Sequence, residues 1–387
     1  MWEGGESTLR DDEWKLVDKY LTSATAFARA QGVGSDAEAV RVIATVANLH
    51  ERRRTQRSDA IALSLNRHAA ALGHAEGCYN LGRVYAGGLL DQEPSYGTAR
   101  AWFEKAASLG DHVGAFYALG HLEEHGLGGE VDSDKAKHWY VLAAELAHDQ
   151  AMGALCSLMF SEPGQPPEYR QARQWCKRAI KVSPSDPHVQ LALGSMYVNG
   201  WGGKKSAKLG FKWLTRAADH GLRDAQYRVG YYYSTALQND AQARVWYTKA
   251  ADQGHIAAAF NLGSLFQNGL GGRVDVRRAL EWYGRAAIHG DHEAEFAIAG
   301  LYYNGDDGLK QDTHQAQKWM RKAAEGGHLD SMYWMGMLLL ASDDIEDAET
   351  TAKIWLAKAA RMGHYESEKK LKEISSESEM MEREFDL

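Results

Sequence analysis

Cysteine is scarce in this sequence of 387 residues, which contains only Cys78, Cys156 and Cys176. Small secreted domains that depend on disulfides carry many cysteines at regular spacings. The three cysteines here are unevenly spaced, so the sequence predicts buried thiols. Buried free thiols are typical of a reducing environment, and we therefore expect a protein of the cytoplasm or of another reducing intracellular compartment.

Long apolar runs, an excess of positive charge and an amino-terminal targeting pattern are also lacking. No run of about 18 apolar residues occurs, which argues against a membrane span. The first six residues, MWEGGE, show neither the basic start nor the apolar core of a signal peptide. The formal net charge of −8 argues against nonspecific binding of nucleic acid. We therefore expect a protein or peptide partner, with no nucleic acid and no membrane span.

Tryptophan, in contrast, follows a strict pattern. Eight of the twelve tryptophans are separated from one another by 33 to 38 residues: Trp102, Trp139, Trp175, Trp213, Trp246, Trp282, Trp319 and Trp355. An alanine or glycine stands three residues before each, and a pair of small or aliphatic residues stands four and five residues after it, which places them on one helix face. Seven copies have Lys or Arg three residues after the tryptophan, where a cation complements the helix dipole. The pattern predicts a helix, here called helix B, whose indole fills the gap between closely packed neighbours.

A second helix, here called helix A, precedes each helix B. Its marker is a small residue, found at Gly82, Gly120, Ser157, Gly194, Gly230, Gly263, Ala299 and Gly336. Glycine inside a helix costs about 1 kcal/mol relative to alanine, so we infer that another helix crosses closely at this point. A unit repeated at this period buries its apolar face only by stacking on its neighbours. The sequence therefore predicts an all-α solenoid of helix pairs.

The segment Ile256–Gly290 resembles a Sel1-like repeat, because it contains in order the landmarks A-x-x-x-L-G-x-x-Y/F, N-G-x-G, A-x-x-W and A-A-x-x-G. The resemblance extends over residues 75–364 as eight repeats. It implies a right-handed superhelical α-solenoid of antiparallel helix pairs, related to tetratricopeptide proteins. Tetratricopeptide repeats themselves fit less well, since their period is about 34 residues and helix B lacks a fixed tryptophan. The resemblance also implies an interaction scaffold rather than a catalyst.

The two ends differ from the repeats. Residues 1–74 predict an amino-terminal helical cap, with a helix over residues 11–31 and a degenerate repeat over residues 35–73. Residues 365–387 predict a capping helix from Tyr365 to Ile374, followed by an acidic tail that we expect to be disordered. Caps of this kind shield the open ends of a solenoid.

Two sequence patterns resemble motifs of enzymes. The segment HLEEH over residues 121–125 matches the H-x-x-E-H signature of a family of zinc peptidases. In the repeat register, however, His121 and His125 take the places of Ser264 and Asn268. Glycine-rich segments such as GLGG over residues 269–272 resemble phosphate-binding loops, but no strand precedes them and no Gly-Lys-Ser/Thr follows. We therefore predict no metal, no cofactor and no enzymatic activity.

The predicted binding surface lies on helix A. With the small residue as position zero, positions −2, +1 and +5 form a stripe on the side away from the core. The candidate residues are Asn80, Arg83, His121, Ser195, Asn199, Arg228, Tyr231, Asn261, Ser264, Asn268 and Trp334. We expect the stripe to line the concave face and to bind a protein segment, with Tyr231 and Trp334 as aromatic anchors. The competing interpretation is that these residues only keep that face solvated.

The sequence therefore leaves two functions open. The first is a non-enzymatic scaffold or adaptor that captures a segment of a partner on its concave helix-A surface. The alternative is a regulatory, inhibitory or assembly subunit in an obligate complex with one folded protein. Obligate complexes bury larger interfaces than peptide recognition does.

Overall fold

The computed structural model describes residues 56–88, 93–110, 112–161, 166–305, 308–341 and 348–385, with Lys15, Lys19 and Thr22 as isolated helical positions. The helices are α1 (Gln56–Ala71), α2 (Ala75–Gly87), α3 (Tyr96–Ser108), α4 (Val113–His125), α5 (Ser133–Glu145), α6 (Asp149–Ser161), α7 (Pro166–Val182), α8 (Pro187–Asn199), α9 (Ala207–Asp219), α10 (Arg223–Thr235), α11 (Asp240–Asp252), α12 (Ile256–Gln267), α13 (Val276–Ile288), α14 (His292–Asn304), α15 (Thr313–Glu325), α16 (Leu329–Leu340), α17 (Ala348–Arg361) and α18 (Tyr365–Phe385). Each packs mainly on its neighbours in the chain, which confirms the all-α solenoid. Within the described ranges, no helix combines the length and the apolar composition that a bilayer span requires.

The chain divides into two compact units, Met1–Ser206 and Ala207–Leu387, here called the first and second unit. In the first unit, helix A of successive repeats is α2, α4, α6 and α8. In the second unit, helix A is α10, α12, α14 and α16. Helix B is the helix that follows helix A in each repeat.

Within each unit, helix A and helix B of a repeat approach closely at the small residue, as predicted. A Cβ added to Gly263 would lie 2.7 Å from the ring of Tyr283, and a Cβ added to Gly230 would lie 2.7 Å from the ring of Tyr247. The residue that fills the gap is therefore the one after the tryptophan, and the prediction that the indole fills it was wrong. This residue is buried in all eight repeats: Phe103, Tyr140, Cys176, Leu214, Tyr247, Tyr283, Met320 and Leu356. Offsets −3, +1 and +4 share a helix face as well as −3, 0 and +4 do, so spacing alone could not separate the two.

The tryptophans lie at the edge of the core instead. Only Trp246 is buried, and the other seven are half-buried. In the seven repeats with a Lys or Arg three residues later, that cation lies over the indole, 4.0 to 5.3 Å from the ring centroid. Trp139, whose repeat has Leu142 in that position, stacks on Phe116 at 5.8 Å. The periodic cation therefore covers the exposed side of each indole, an arrangement favourable by about 0.5–1 kcal/mol at surface sites.

Arginines of alternate repeats hold the glycine-rich turns. Arg173 donates to the carbonyl oxygens of Trp201 and Lys204 at 3.2 and 3.1 Å. Arg244 donates to the carbonyl oxygen of Arg273 at 3.2 Å. Arg100 donates to the carbonyl oxygen of Leu127 at 3.4 Å. The glycine-rich turns thus join helices, as predicted, and each is bound by the preceding repeat.

The ends are described in part. Helix α1 ends before Gly73, which has φ +77°, and buries Leu65 at the helix-B register. The prediction of a helix over residues 11–31 lies largely outside the described residues. At the other end α18 extends to Phe385, beyond Ile374, where the predicted capping helix ends. The segment contains no Gly or Pro and is rich in Glu and Met, which favour helix once α18 has begun.

Cys156 and Cys176 form a disulfide between α6 and α7, with their Cα atoms 4.9 Å apart. The prediction of three buried thiols was therefore wrong for these two and holds for Cys78, which is buried and free. Position −1 of helix A faces the residue after the tryptophan of helix B, so the two cysteines meet within one repeat. The argument from cysteines for a reducing compartment no longer stands.

Candidate functional site

In the first unit, the structure separates the predicted helix-A residues into two groups. Arg83, His121 and Asn199 are exposed. Asn80 is fully buried and donates its side-chain amide to Asn66 Oδ1 of α1 at 3.2 Å, so its assignment to an exposed stripe was wrong. Ser195 was also wrongly assigned, because its side chain is 1% exposed and donates to the carbonyl oxygen of Leu191 at 2.8 Å. Position −2 in the first repeat therefore faces a neighbouring helix, and position +1 in the fourth repeat is buried with a bond to its own helix.

In the second unit, the predicted residues stay accessible. Tyr231 is 53% exposed and Trp334 is 45% exposed. Asn268 is exposed, whereas Arg228, Asn261 and Ser264 are half-buried. The stripe at positions −2, +1 and +5 of α10, α12, α14 and α16 carries no carboxylate: Arg228, Tyr231, Thr235, Asn261, Ser264, Asn268, Ala297, Gly300, Asn304, Trp334, Met337 and Ala341. We call this set the helix-A stripe of the second unit.

The structure also reveals a row of ring pairs that the sequence interpretation missed. An aromatic residue three positions before the small residue lies against the histidine that precedes helix A of the next repeat. The pairs are Tyr79–His112, Tyr117–His148, Tyr227–His255, Phe296–His328 and Tyr333–His364, with ring centroids 4.3 to 5.2 Å apart. The aromatic residue at position −3 of helix A was the signal in the sequence that would have paired these rings.

Each of these histidines caps a helix. His255 Nδ1 accepts a hydrogen bond from the backbone N–H of Ala258 at 3.2 Å, which satisfies a free donor at the start of α12. The same bond forms at His112, His148, His328 and His364. Because Nδ1 accepts, the ring proton sits on Nε2, which faces an acid of the preceding helix A at four of the five positions. His328 Nε2, for example, lies 3.2 Å from Glu293 Oε1. The cap bond thus recurs at these five helix starts, whereas His74 makes no side-chain cap hydrogen bond to α2.

Burial keeps two of the capping histidine side chains neutral. Desolvation lowers the pKa of His148, and it lowers the pKa of His255 despite the opposing effect of Asp224. A protonated ring would lose the Nδ1 acceptor and the cap bond with it. The neutral histidine is thus the form that stabilises the helix start.

Acidification is expected to destabilise the protein through these caps. In the unfolded chain a histidine titrates near pH 6.5, so the unfolded state binds more protons below that pH and stability falls as the pH drops. We expect His255→Asn, which keeps a capping oxygen, to reduce the fall in melting temperature between pH 7.5 and pH 5.5. The exposed His314 provides the control His314→Asn. An unchanged pH slope in His255→Asn would contradict the assignment.

A shallow pocket opens beside one ring pair in the second unit. It is lined by Asp224, Tyr227, Arg228, Tyr231 and His255. Tyr227 stacks on His255 at 4.3 Å between centroids and lies 6.4 Å from the ring of Tyr231. Two predicted residues, Arg228 and Tyr231, thus meet two unpredicted ones at a site that combines aromatic faces with a guanidinium.

The H-x-x-E-H segment has a packing role in α4. The rings of His121 and His125 stack at 4.3 Å, and His125 Nδ1 lies 3.0 Å from the carbonyl oxygen of His121. Glu124, the acid of the signature, accepts a hydrogen bond from the Tyr140 hydroxyl at 2.6 Å. Burial is the main reason why the pKa of His121 is lowered, with a smaller contribution from His125. Among the described residues, no group of three or more His, Cys, Asp or Glu side chains is placed to hold a metal ion.

The helix pairs described above define an α-solenoid whose helix-A stripe in the second unit is partly exposed. The chain belongs to the Sel1 repeat family. Eight matches to the Sel1 repeat cover residues 75–111, 115–148, 150–181, 187–222, 223–255, 256–291, 292–328 and 329–364. They confirm the predicted family and the predicted extent of the repeats.

Curated relatives are fungal regulators. A chitin synthase regulator of Saccharomyces cerevisiae is 32% identical over 146 residues, which are 36% of this chain and 20% of that protein. Chitin synthase regulatory factor 4 of Schizosaccharomyces pombe is 31% identical over 209 residues, which are 49% of this chain and 32% of that protein. The chain thus spans about a third or less of the length of these two relatives.

Solved structures share the fold over most of the chain. A protective antigen of uropathogenic Escherichia coli with a Sel1-like repeat fold is 26% identical, with a TM-score of 0.70 over 91% of this chain and 73% of that chain. A Sel1 repeat protein from Oxalobacter formigenes is 26% identical, with a TM-score of 0.59 over 80% of this chain and 89% of that chain. Both support the helix-pair solenoid described above.

Proposed function

We propose that this protein is a non-enzymatic scaffold or adaptor that binds a segment of a partner protein on its helix-A surface. The helix-A stripe of the second unit is the observation that carries the proposal. It combines an absence of carboxylates with two exposed aromatic side chains, Tyr231 and Trp334. Large aromatic side chains supply much of the binding energy at protein interfaces. The regulators among the curated relatives are consistent with action through protein contacts.

A regulatory subunit is the second candidate. The names of the fungal relatives describe regulators of one enzyme, and such a role suits a stable complex with a single folded protein. An obligate interface of that kind buries about 2,000 Å² or more. It would extend beyond one helix-A stripe, whereas capture of a segment would remain within it.

Affinity capture from the native host tests the adaptor role. The bait variant Tyr231→Ala/Trp334→Ala removes both aromatic anchors. The matched control Val245→Ala/Ile354→Ala removes two exposed apolar side chains from helix B of the same two repeats, α11 and α17. We expect partners captured by the wild type and by the control to be lost, by about tenfold or more, from the anchor variant.

The same experiment separates the two candidates. If the control variant loses the same partners as readily as the anchor variant does, binding through helix A is contradicted. A single partner retained by both variants at 1:1 stoichiometry and in high salt would favour the regulatory subunit. Hydrogen exchange on that complex would then show protection on helix-B surfaces as well.

A further inference from the structure

The guanidinium of Arg228 has no hydrogen-bond or ion-pair partner among the described residues. Arg228 is half-buried on α10. At position −2 of the other repeats the side chains are uncharged: Asn80, Ala118, Leu155, Ala192, Asn261, Ala297 and Trp334. A partly desolvated cation gains most from an anionic ligand. Arg228 is therefore placed to bind one.

The charges around Arg228 favour a singly charged anion. Asp224 lies 3.5 Å from Arg223 Nε and 3.9 Å from His255 Nε2. His255 is neutral at physiological pH, because burial lowers its pKa. Two arginines and one aspartate leave a net charge of about +1 at the pocket. A carboxylate matches this charge, whereas a phosphate monoester carries about −1.5 to −2.

Gly300 marks where a partner's backbone can approach. It lies inside α14, at position +1 of the helix-A stripe, and a Cβ built there would have no atom within 4 Å. Glycine in a helix interior is unfavourable relative to alanine, and the close packing that explains Gly263 is missing here. This open space on α14, the helix A whose repeat lies in the chain between those of α12 and α16, suits contact with another chain.

We propose that Arg228, flanked by Tyr227 and Tyr231, binds a carboxylate of an acidic, extended segment of a partner protein. The backbone of that segment passes over Gly300 toward Trp334. This inference rests on the proposed function and specifies the chemistry of its partner. Tyr227 and Tyr231 offer aromatic faces to the stem of the acidic residue and hydroxyl donors to its oxygens.

Selection from a random library of 12-residue peptides, displayed on phage, tests the carboxylate. We expect binders of the wild-type protein to share one Asp or Glu. Replacing it with Asn or Gln should weaken binding of the synthetic peptide by about tenfold or more, as for a charge-assisted hydrogen bond. With the Arg228→Gln protein, the acid and amide peptides should bind equally. Arg277→Gln makes the same charge change at an exposed site on α13 and should preserve the difference.

A second pair of variants tests the path of the segment. Gly300→Ala should weaken binding of the same peptide several-fold without lowering the melting temperature. Gly284→Ala is the matched control, because Gly284 lies in helix α13 with open space around its Cβ position. It should leave peptide binding unchanged. Equal peptide affinities for the two variants would overturn the path over α14.

Other outcomes are equally decisive. Acid and amide peptides that differ as much on Arg228→Gln as on the wild type overturn the carboxylate site. A phosphoserine peptide that binds at least tenfold more tightly than the acid peptide, and only with Arg228 present, assigns the site to phosphate instead. Failure to select any peptide while capture still depends on Tyr231 and Trp334 overturns this proposal and leaves the proposed function standing. If no peptide is selected and capture does not depend on Tyr231 and Trp334, both this proposal and the proposed function are overturned.

Discussion

Replacing Tyr283 with alanine is expected to lower the free energy of unfolding of the second unit by about 3–5 kcal/mol. Tyr283 is 2% exposed and packs against Gly263, where helix α12 leaves room for its ring. Its hydroxyl donates to Gln267 Oε1 at 2.8 Å. Alanine would remove this bond and open a cavity that two helices in close contact cannot fill. Urea denaturation followed by circular dichroism measures the change.

Trp282→Ala is the informative control for this prediction. Trp282 is half-buried, with the guanidinium of Arg285 4.2 Å from its ring centroid. We expect Trp282→Ala to lower the free energy of unfolding by about 2 kcal/mol, since part of the indole surface is already accessible to solvent. Tyr283→Phe, which loses only the hydroxyl bond, should cost about 1 kcal/mol. A larger loss for Trp282→Ala than for Tyr283→Ala would make the tryptophan the principal packing residue.

Reduction of the Cys156–Cys176 disulfide is expected to destabilise the first unit by about 3 kcal/mol, the value for a closed loop of this length. The two cysteines are 20 residues apart, and both side chains are fully buried. The oxidised and reduced wild-type proteins have the same side chains, so the comparison isolates the crosslink. Urea denaturation with and without a reductant measures it.

Cys78 provides the control for the disulfide. Its thiol is free, and burial raises its pKa, so alkylation requires the denatured chain. Alkylation in denaturant without reductant should modify one cysteine, and Cys78→Ala should keep the full effect of reductant on stability. Modification of three cysteines by alkylation under those conditions would show that the disulfide is absent.

The periodicity of small residues and tryptophans was sufficient to predict the fold. Helix positions, the number of repeats and the close approach at Gly263 all follow from it. It could not identify the residue that fills the gap, because Trp282 and Tyr283 are both compatible with the helix face. It also could not pair Cys156 with Cys176, since pairing depends on which positions of helix A and helix B face each other. The sequence interpretation ended the capping helix at Ile374 rather than at Phe385, because it weighed the acidic composition of the segment above its helix propensity.

The candidate site was predictable in outline only. Position along helix A correctly placed Tyr231 and Trp334 on the surface. It failed at Asn80 and Ser195, where a neighbouring helix or a local hydrogen bond buries a polar side chain that the sequence pattern marks as exposed. The ring pair of Tyr227 and His255 joins two repeats. A search within one repeat could not find it.

The arginines that bind the glycine-rich turns occur in the first, third and fifth repeats, and those turns belong to the second, fourth and sixth. Removal of the second repeat, for example, would leave the Arg100 guanidinium facing the proline-rich connection EPGQPP over residues 162–167, which has a single glycine. Removal of the second and third repeats together would instead bring Arg100 to the glycine-rich turn GWGG of the fourth repeat, over residues 200–203. Within the first six repeats, the module that can be gained or lost with these bonds intact is therefore a pair of repeats, about 72 residues long if two periods of about 36 are counted.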